Sequence, residues 1–116
     1  MGFITEQQEG VTIIKIAHER LDSMIAPQLK SEILFLSNDG VDKILIDLSE
    51  VQYADSSGLG AFLFGVRQMK RIDGQLKLYA ANEKIMNLVR IARLDNVLIN
   101  YQNREEALRS FSSDHP

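Results

Sequence analysis

The sequence has no cysteine, no long apolar run and no excess of basic residues, and each absence removes a class of function. Without cysteine there is no disulfide framework, no thiolate metal site and no cysteine nucleophile. The net charge of −3 gives no basic footprint for nucleic acid. The apolar runs stop far short of the roughly 20 residues that span a bilayer. We therefore expect neither a nucleic-acid partner nor a membrane segment.

The start of the sequence carries no recognisable targeting signal. Residues 1–6 lack the basic and apolar segments of a signal peptide, and Glu6 stands where a myristoylation motif needs Ser or Thr. With 116 residues, 45% of them apolar and 25% charged, the chain has the size and composition of one globular domain. We expect a cytoplasmic protein in which residues 1–111 form the domain and residues 112–116 a frayed tail.

Residues with catalytic potential are scarce. The two histidines, His18 and His115, lie in a predicted connection and in the predicted tail, and the serine elbow motif Gly-x-Ser-x-Gly is absent. Gly58-Leu59-Gly60 has neither the spacing nor the lysine of a phosphate-binding loop. The acidic residues between positions 47 and 55 have the spacing of a solvated edge rather than of a metal site. We expect no enzymatic activity, no metal and no cofactor.

What the sequence does contain is a strand–turn–helix pattern over residues 43–74. The dense apolar run at residues 43–48 predicts a strand that is covered on both faces. After a turn, apolar residues recur three and four positions apart, which predicts a helix ending before Gly74. The members of this stripe are Leu59, Phe62, Leu63, Val66 and Met69. Asp55 is predicted to cap the helix by accepting hydrogen bonds from backbone N–H groups.

The same helical phase predicts a second face of small and polar residues opposite the apolar stripe. Its members are Ser57, Gly60, Ala61, Phe64 and Gln68. Phe64 is out of place on such a face. Either a neighbouring loop or helix covers it, or it is a contact for a partner protein, because small residues around an exposed aromatic ring make a flat surface that suits binding.

The remaining elements alternate between strands and helices. Strands are predicted at Phe3–Gln8, at residues 11–17, at residues 75–80 with one wetter face, and at residues 97–101. Helices are predicted from Pro27 with Leu29, Ile33 and Leu36 buried, from Asn82 with Ile85, Leu88, Val89 and Ala92 on one stripe, and over residues 104–111 with a capping box of Asn103 and Glu106. The polar residues 18–23 are predicted to form a connection.

This alternation predicts a single α/β domain in which about four helices pack against a small mixed, largely parallel sheet. The predicted core includes Ile14, Leu45, Leu59, Phe62, Leu63 and Leu88. A response-regulator receiver domain is an alternative with this alternation, and Asp55 would stand near its phosphorylated aspartate. Receivers also need an acidic pair after the first strand and a late lysine. The first two predicted strands end without an adjacent acidic pair, and the late strand at residues 97–100 ends without a lysine, which argues against a receiver.

The string Asp55-Ser56-Ser57-Gly58-Leu59-Gly60, placed after the strand at residues 43–48, resembles the anti-sigma factor antagonist family of bacterial STAS domains. The similarity extends to Leu21-Asp22 and to the helix at Asn82, and so covers nearly the whole chain. It implies a STAS fold that catalyses nothing, with Ser56, the first serine after the aspartate, as the phosphorylated residue. It also implies two partners: a serine-kinase anti-sigma factor that binds the unphosphorylated form, and a metal-dependent Ser/Thr phosphatase that restores this form.

A serine at the mouth of a helix suits such a switch. A kinase can reach it, and its phosphate would meet free N–H groups at the positive end of the helix dipole. Glycines there would let another protein's backbone approach closely. The candidate partner-binding residues are Asp22, Ser23, Asp55, Ser57, Gly58, Gly60, Ala61, Phe64 and Gln68. An alternative within the same family is a STAS module that is never phosphorylated and serves as a scaffold subunit of a lipid-transport or other multiprotein complex.

Overall fold

The computed structural model describes residues 2–112. Its elements, in chain order, are β1 (Phe3–Gln8), β2 (Val11–Ile16), β3 (Arg20–Leu21), α1 (Ala26–Asn38), β4 (Lys43–Asp47), β5 (Tyr53–Ala54), α2 (Ser56–Arg71), β6 (Gln75–Tyr79), α3 (Glu83–Ile91), β7 (Asn100–Tyr101) and α4 (Arg104–Ser112). Ser112, assigned to the tail from the sequence, is the last residue of α4. The rest of the predicted tail and His115 lie outside the described residues.

Five of the strands form one mixed sheet in the order β1-β2-β4-β6-β7. The hairpin partners β1 and β2 are antiparallel, whereas β2, β4, β6 and β7 run parallel to one another. The described residues contain four helices. The predicted α/β architecture, a small mixed and largely parallel sheet with about four helices, is therefore confirmed.

The two faces of the sheet bury different groups of residues, because successive side chains of a strand point to opposite faces. One face carries the larger core, which α1, α2 and α3 cover; its buried members include Ile14, Ile16, Ile33, Ile44, Ile46, Phe62, Leu78 and Val89. The other face is covered by α4 and carries the smaller core, formed by Val11, Ile13, Leu45, Ala107, Leu108 and Phe111. The central strand β4 is thus buried on both sides, as its apolar run predicts.

Two strand predictions are wrong in detail. The face of β6 that was predicted to be wetter is covered by α4: Lys77 is only 8% exposed, and its Nζ donates to the carbonyl oxygen and the Oγ of Ser110 at 3.1 and 3.0 Å. The strand predicted at residues 97–101 is reduced to the two residues of β7. The N–H groups of Val97 and Leu98 both donate to the carbonyl oxygen of Leu94, which makes that segment a turn.

The phase of α2 also differs from the prediction. Its buried residues are Gly58, Ala61, Phe62, Gly65 and Met69, whereas Leu59, Leu63 and Val66 are only partly buried on one flank. Small residues occupy the closest contacts: a Cβ added at Gly65 would lie 2.5 Å from a side-chain carbon of Leu76. The prediction that Ala61 faces away from the core is therefore wrong, since it is fully buried.

In α3 the N-cap prediction is confirmed, because Asn82 Oδ1 accepts a hydrogen bond of 2.9 Å from the Ile85 N–H. Its apolar stripe is narrower than predicted. Ile85 and Val89 are buried, but Leu88 is only partly buried and Ala92 is exposed. Three predicted core members, Leu88 here and Leu59 and Leu63 in α2, are thus only partly buried.

Candidate functional site

A parallel ladder of two residues brings two distant loops together. Residues 18–23, predicted to be a connection, contain β3, which pairs with β5 so that Leu21 stands opposite Ala54. The next residues of the two strands, Asp22 and Asp55, therefore leave the ladder side by side. The Asp55 N–H donates to the Leu21 carbonyl oxygen at 3.4 Å. This pairing fixes the loop before α1 beside the start of α2.

Gly58 makes this close approach possible. A Cβ added at Gly58 would lie 2.7 Å from the Leu21 carbonyl oxygen, whereas a Cβ at Gly60 would meet nothing within 4 Å. The backbone that Gly58 admits is therefore that of Leu21 in the same chain, and not that of another protein as predicted. Of these two glycines, Gly60 is the one with open space beside it.

Asp55 caps α2, as predicted. Its Oδ1 accepts hydrogen bonds from the N–H groups of Ser57 at 2.9 Å and Gly58 at 3.3 Å. These are two of the four N–H groups at the start of the helix that lack a partner inside it. The prediction of free N–H groups that receive a phosphate on Ser56 is therefore wrong for these two, because a carboxylate already occupies them.

Ser56, the first residue of α2, is exposed, and Ser57 is partly buried. Both border a cavity of about 330 Å³ between the starts of α1 and α2. The residues that line it are Ser23, Ala26, Pro27, Lys30, Ser56, Ser57 and Gly60. None of these is an acid or a histidine, so the lining lacks the imidazole or carboxylate that most often activates a serine nucleophile, and its one basic side chain is Lys30.

Asp22 organises the loop that leads into α1. Its Oδ1 accepts a hydrogen bond of 3.0 Å from the Met24 N–H, and its Oδ2 lies 3.6 Å from Arg20 Nε. The Met24 N–H, with smaller contributions from Ile25 and Arg20, holds the pKa of Asp22 below its ordinary value of 3.8. Asp22 is therefore an anion at neutral pH, on the same surface as Ser56.

The predicted partner-binding residues divide into two groups. Asp22, Ser23, Asp55, Ser57 and Gly60 are exposed or partly buried around Ser56. The other members, Gly58, Ala61, Phe64 and Gln68, belong to the packing of the domain.

Gly58 and Ala61 are buried, so neither offers a side chain to a partner. Phe64 is partly buried and packs against the larger core. One turn further on, Gln68 Nε2 donates to Ser37 Oγ of α1 at 3.4 Å, and residues four apart share a helix face. This flank of α2 thus lies against α1, which favours the alternative in which a neighbouring helix covers Phe64.

Two residues of this surface were missed by sequence reasoning. Met24 directly follows Ser23 and is 75% exposed, and Lys30 lines the cavity beside Ser56. Neither carries a signal in the sequence, since an isolated methionine or lysine near a helix start is ordinary. Their importance comes from the loop and cavity that only the folded chain forms.

Residues 2–112 contain no cluster of three or more His, Asp or Glu side chains that could hold a metal ion. In that same part of the chain no helix is long and apolar enough to cross a bilayer.

Comparison with known proteins gives the family. A profile described as the STAS domain matches residues 3–107. The chain belongs to the STAS domain family. The anti-sigma-B factor antagonist of Bacillus subtilis (strain 168) is 33% identical over 93 residues, which are 80% of this chain and 84% of that protein. The resemblance to anti-sigma factor antagonists is therefore confirmed.

Solved structures share the STAS fold. An anti-sigma-factor antagonist (STAS) domain protein from Planctomyces limnophilus superposes with a TM-score of 0.84 at 22% identity, covering 95% of this chain and 97% of that one. The Bacillus cell fate determinant SpoIIAA in its phosphorylated form gives a TM-score of 0.74 at 20% identity, covering 93% and 97%. The predicted STAS fold is therefore confirmed over almost the full chain.

Proposed function

We propose that this STAS domain is an anti-sigma factor antagonist that works as a partner switch in the cytoplasm. The unphosphorylated form binds a serine-kinase anti-sigma factor, phosphorylation of Ser56 releases that partner, and a metal-dependent Ser/Thr phosphatase restores the binding form. The domain itself is the substrate of both enzymes and catalyses neither step. The kinship with anti-sigma factor antagonists supports this role.

The observation that carries the proposal is the position of Ser56. It is the first serine after Asp55 in the family string, it is exposed, and it stands at the first position of α2. A kinase can therefore reach its hydroxyl without unfolding any element. SpoIIAA, whose phosphorylated form has the same fold as this chain, supports the view that a STAS domain can carry a phosphate and stay folded.

The chemistry is phosphoryl transfer in both directions. In the kinase, Ser56 Oγ attacks the γ-phosphorus of ATP, the new O–P bond forms as the bond to the ADP oxygen breaks, and a base of the kinase takes the hydroxyl proton. In the phosphatase, a metal-activated water attacks the same phosphorus, the bond to Ser56 Oγ breaks, and inorganic phosphate leaves. Each cycle consumes one ATP and one water.

Release follows from charge. Phosphorylation adds about −1.5 to −2 charges at neutral pH to a surface that already carries the anion of Asp22. Two unit charges about 4 Å apart interact by roughly 4 kcal/mol at an effective dielectric constant of 20. Half of that repulsion against one partner carboxylate weakens binding more than tenfold, because about 1.4 kcal/mol corresponds to a factor of ten.

The partner surface that we propose surrounds Ser56. It keeps Asp22, Ser23, Asp55, Ser57 and Gly60 from the sequence-based set and adds Met24. The exposed Met24 side chain supplies apolar contact area, which is enriched at interface centres. The hydrogen bond from the Met24 N–H to Asp22 Oδ1 holds the loop that carries this side chain.

Phosphorylation with the purified serine-kinase anti-sigma factor of the same organism and ATP tests the proposal. Mass spectrometry is expected to place one phosphate on Ser56. Ser56→Ala is expected to stay bound to the kinase whether or not ATP is present. The matched control, Ser57→Ala, removes the neighbouring hydroxyl and is expected to leave Ser56 phosphorylation intact.

A phosphate found on Ser57 or Ser31, or a phosphorylated form that binds the kinase as tightly as before, would overturn the switch. A protein that takes no phosphate and instead copurifies with subunits of a lipid-transport complex would favour the scaffold alternative.

A further inference from the structure

The cavity beside Ser56 holds one charged side chain among its lining residues, Lys30. Lys30 lies one helical turn after Ala26, which lines the same cavity, so the two side chains share a face of α1. Ser56 and Ser57 border the cavity from the side of α2. The cavity therefore places one cation of α1 opposite the serine pair of α2.

Lys30 is not committed to another interaction in the described part of the chain. No hydrogen bond or ion pair involves it there, whereas Arg20, which lies near the site, does have partners: it stacks on Tyr53 at 4.5 Å and pairs with Asp22. A flexible, strongly hydrated lysine ammonium with no carboxylate beside it is available to a new anion.

A phosphate on Ser56 needs such a partner. Asp55 already accepts from the N–H groups of Ser57 and Gly58, so two of the backbone donors that usually bind an anion at the start of a helix are used. The Asp55 carboxylate also adds a like charge next to the phosphate. A cation that borders the same cavity can compensate this charge, and Lys30 is the cationic side chain among the lining residues.

We propose that Lys30 is the residue that holds the phosphoryl group of phosphorylated Ser56, by an ion pair across the cavity between α1 and α2. This inference rests on the proposed phosphorylation of Ser56. Lys30 acts as a positioning residue: it turns the phosphate toward α1 and gives the phosphorylated surface one defined shape, to which the phosphatase can bind.

The test uses the full chain with phosphoserine installed at position 56 during translation, so that it does not depend on any kinase. The pKa of the phosphoserine is followed by ³¹P NMR through a pH titration. A cation at hydrogen-bond distance favours the dianion, so we expect this pKa, ordinarily about 6, to lie roughly half a unit lower in the wild-type chain than in Lys30→Met.

Two variants sharpen the test. Lys30→Arg keeps the cation and is expected to keep the lowered pKa. Lys70→Met removes a lysine 14 positions after Ser56 in α2, about 21 Å along the helix axis at 1.5 Å per residue, and is expected to leave the pKa unchanged. In 1 M salt the difference between wild type and Lys30→Met is expected to shrink, because salt screens exposed charges.

Equal phosphoserine pKa values in the wild-type chain and Lys30→Met would overturn the proposal, as would an equal rise in Lys70→Met. Failure of the kinase to modify Ser56 would instead overturn the proposed function and leave this pKa comparison standing.

Discussion

Residues 56–60 and residues 61–71 belong to the same helix, α2, but they differ in how many residues they bury in the core. Residues 56–60 bury only Gly58, and they expose the Ser56 hydroxyl at the edge of a cavity. Residues 61–71 bury Ala61, Phe62, Gly65 and Met69 against the sheet and α1. One helix thus carries both the buried residues that hold it to the core, in residues 61–71, and the exposed Ser56. Stability and switching can therefore be changed by separate substitutions.

The largest expected effect on stability comes from a substitution in residues 61–71 of α2. Phe62 is 1% exposed, and we expect Phe62→Ala to lower the free energy of unfolding by about 3–5 kcal/mol, because it removes a buried ring and leaves a cavity. Phe64→Ala is the matched control and should cost less than half as much, since Phe64 is only partly buried. Urea denaturation measures both. A costlier Phe64→Ala would mean that the phase of α2 is wrong.

A smaller effect on stability is expected in residues 56–60, where α2 contacts the loop before α1. Gly58→Ala would place a Cβ 2.7 Å from the Leu21 carbonyl oxygen, and we expect it to destabilise the domain by about 1–3 kcal/mol. Gly60→Ala meets open space and should instead stabilise the helix by roughly 0.5–1 kcal/mol. Thermal unfolding of Gly58→Ala and Gly60→Ala measures the difference in stability between the two variants. The same sign for both variants would contradict the close approach at Gly58.

The caps of α2 and α3 offer a finer comparison. Asp55→Ala removes the acceptor of the Ser57 and Gly58 N–H groups, and Asn82→Ala removes that of Ile85. Each should cost about 0.5–2 kcal/mol. Only Asp55→Ala is expected to slow Ser56 phosphorylation, because only Asp55 fixes the turn that presents Ser56. Equal rates of Ser56 phosphorylation in both variants and wild type would show that the Asp55 cap does not help to present Ser56 to the kinase.

Much of this architecture could be predicted from the sequence. The apolar run of β4 and the Asp55 cap follow from local patterns, and the string after β5 identifies the family. The phase of α2 could not be predicted by counting apolar residues. Gly58 and Gly65 do not register as hydrophobic, yet close approach by Leu21 and Leu76 requires them to lack a side chain.

The site was predictable only in part for a related reason. Ser56 and Asp22 stand in recognisable motifs, but the two-residue ladder that places their loops together is too short to leave a periodic pattern. Lys30 joins the site because α1 begins beside α2 in space. Its proposed role depends on a cavity between two helices, and such a cavity leaves no recognisable pattern in the sequence.

The central claim is that the switch acts on a surface that the fold does not depend on. The most direct measurement compares the phosphorylated and unphosphorylated chains in the same two assays: calorimetric titration with the kinase partner, and urea denaturation. We predict that phosphorylation of Ser56 weakens partner binding more than tenfold while the free energy of unfolding changes by less than about 0.5 kcal/mol. Unchanged affinity, or a loss of affinity that is matched by unfolding of the domain, would contradict the account.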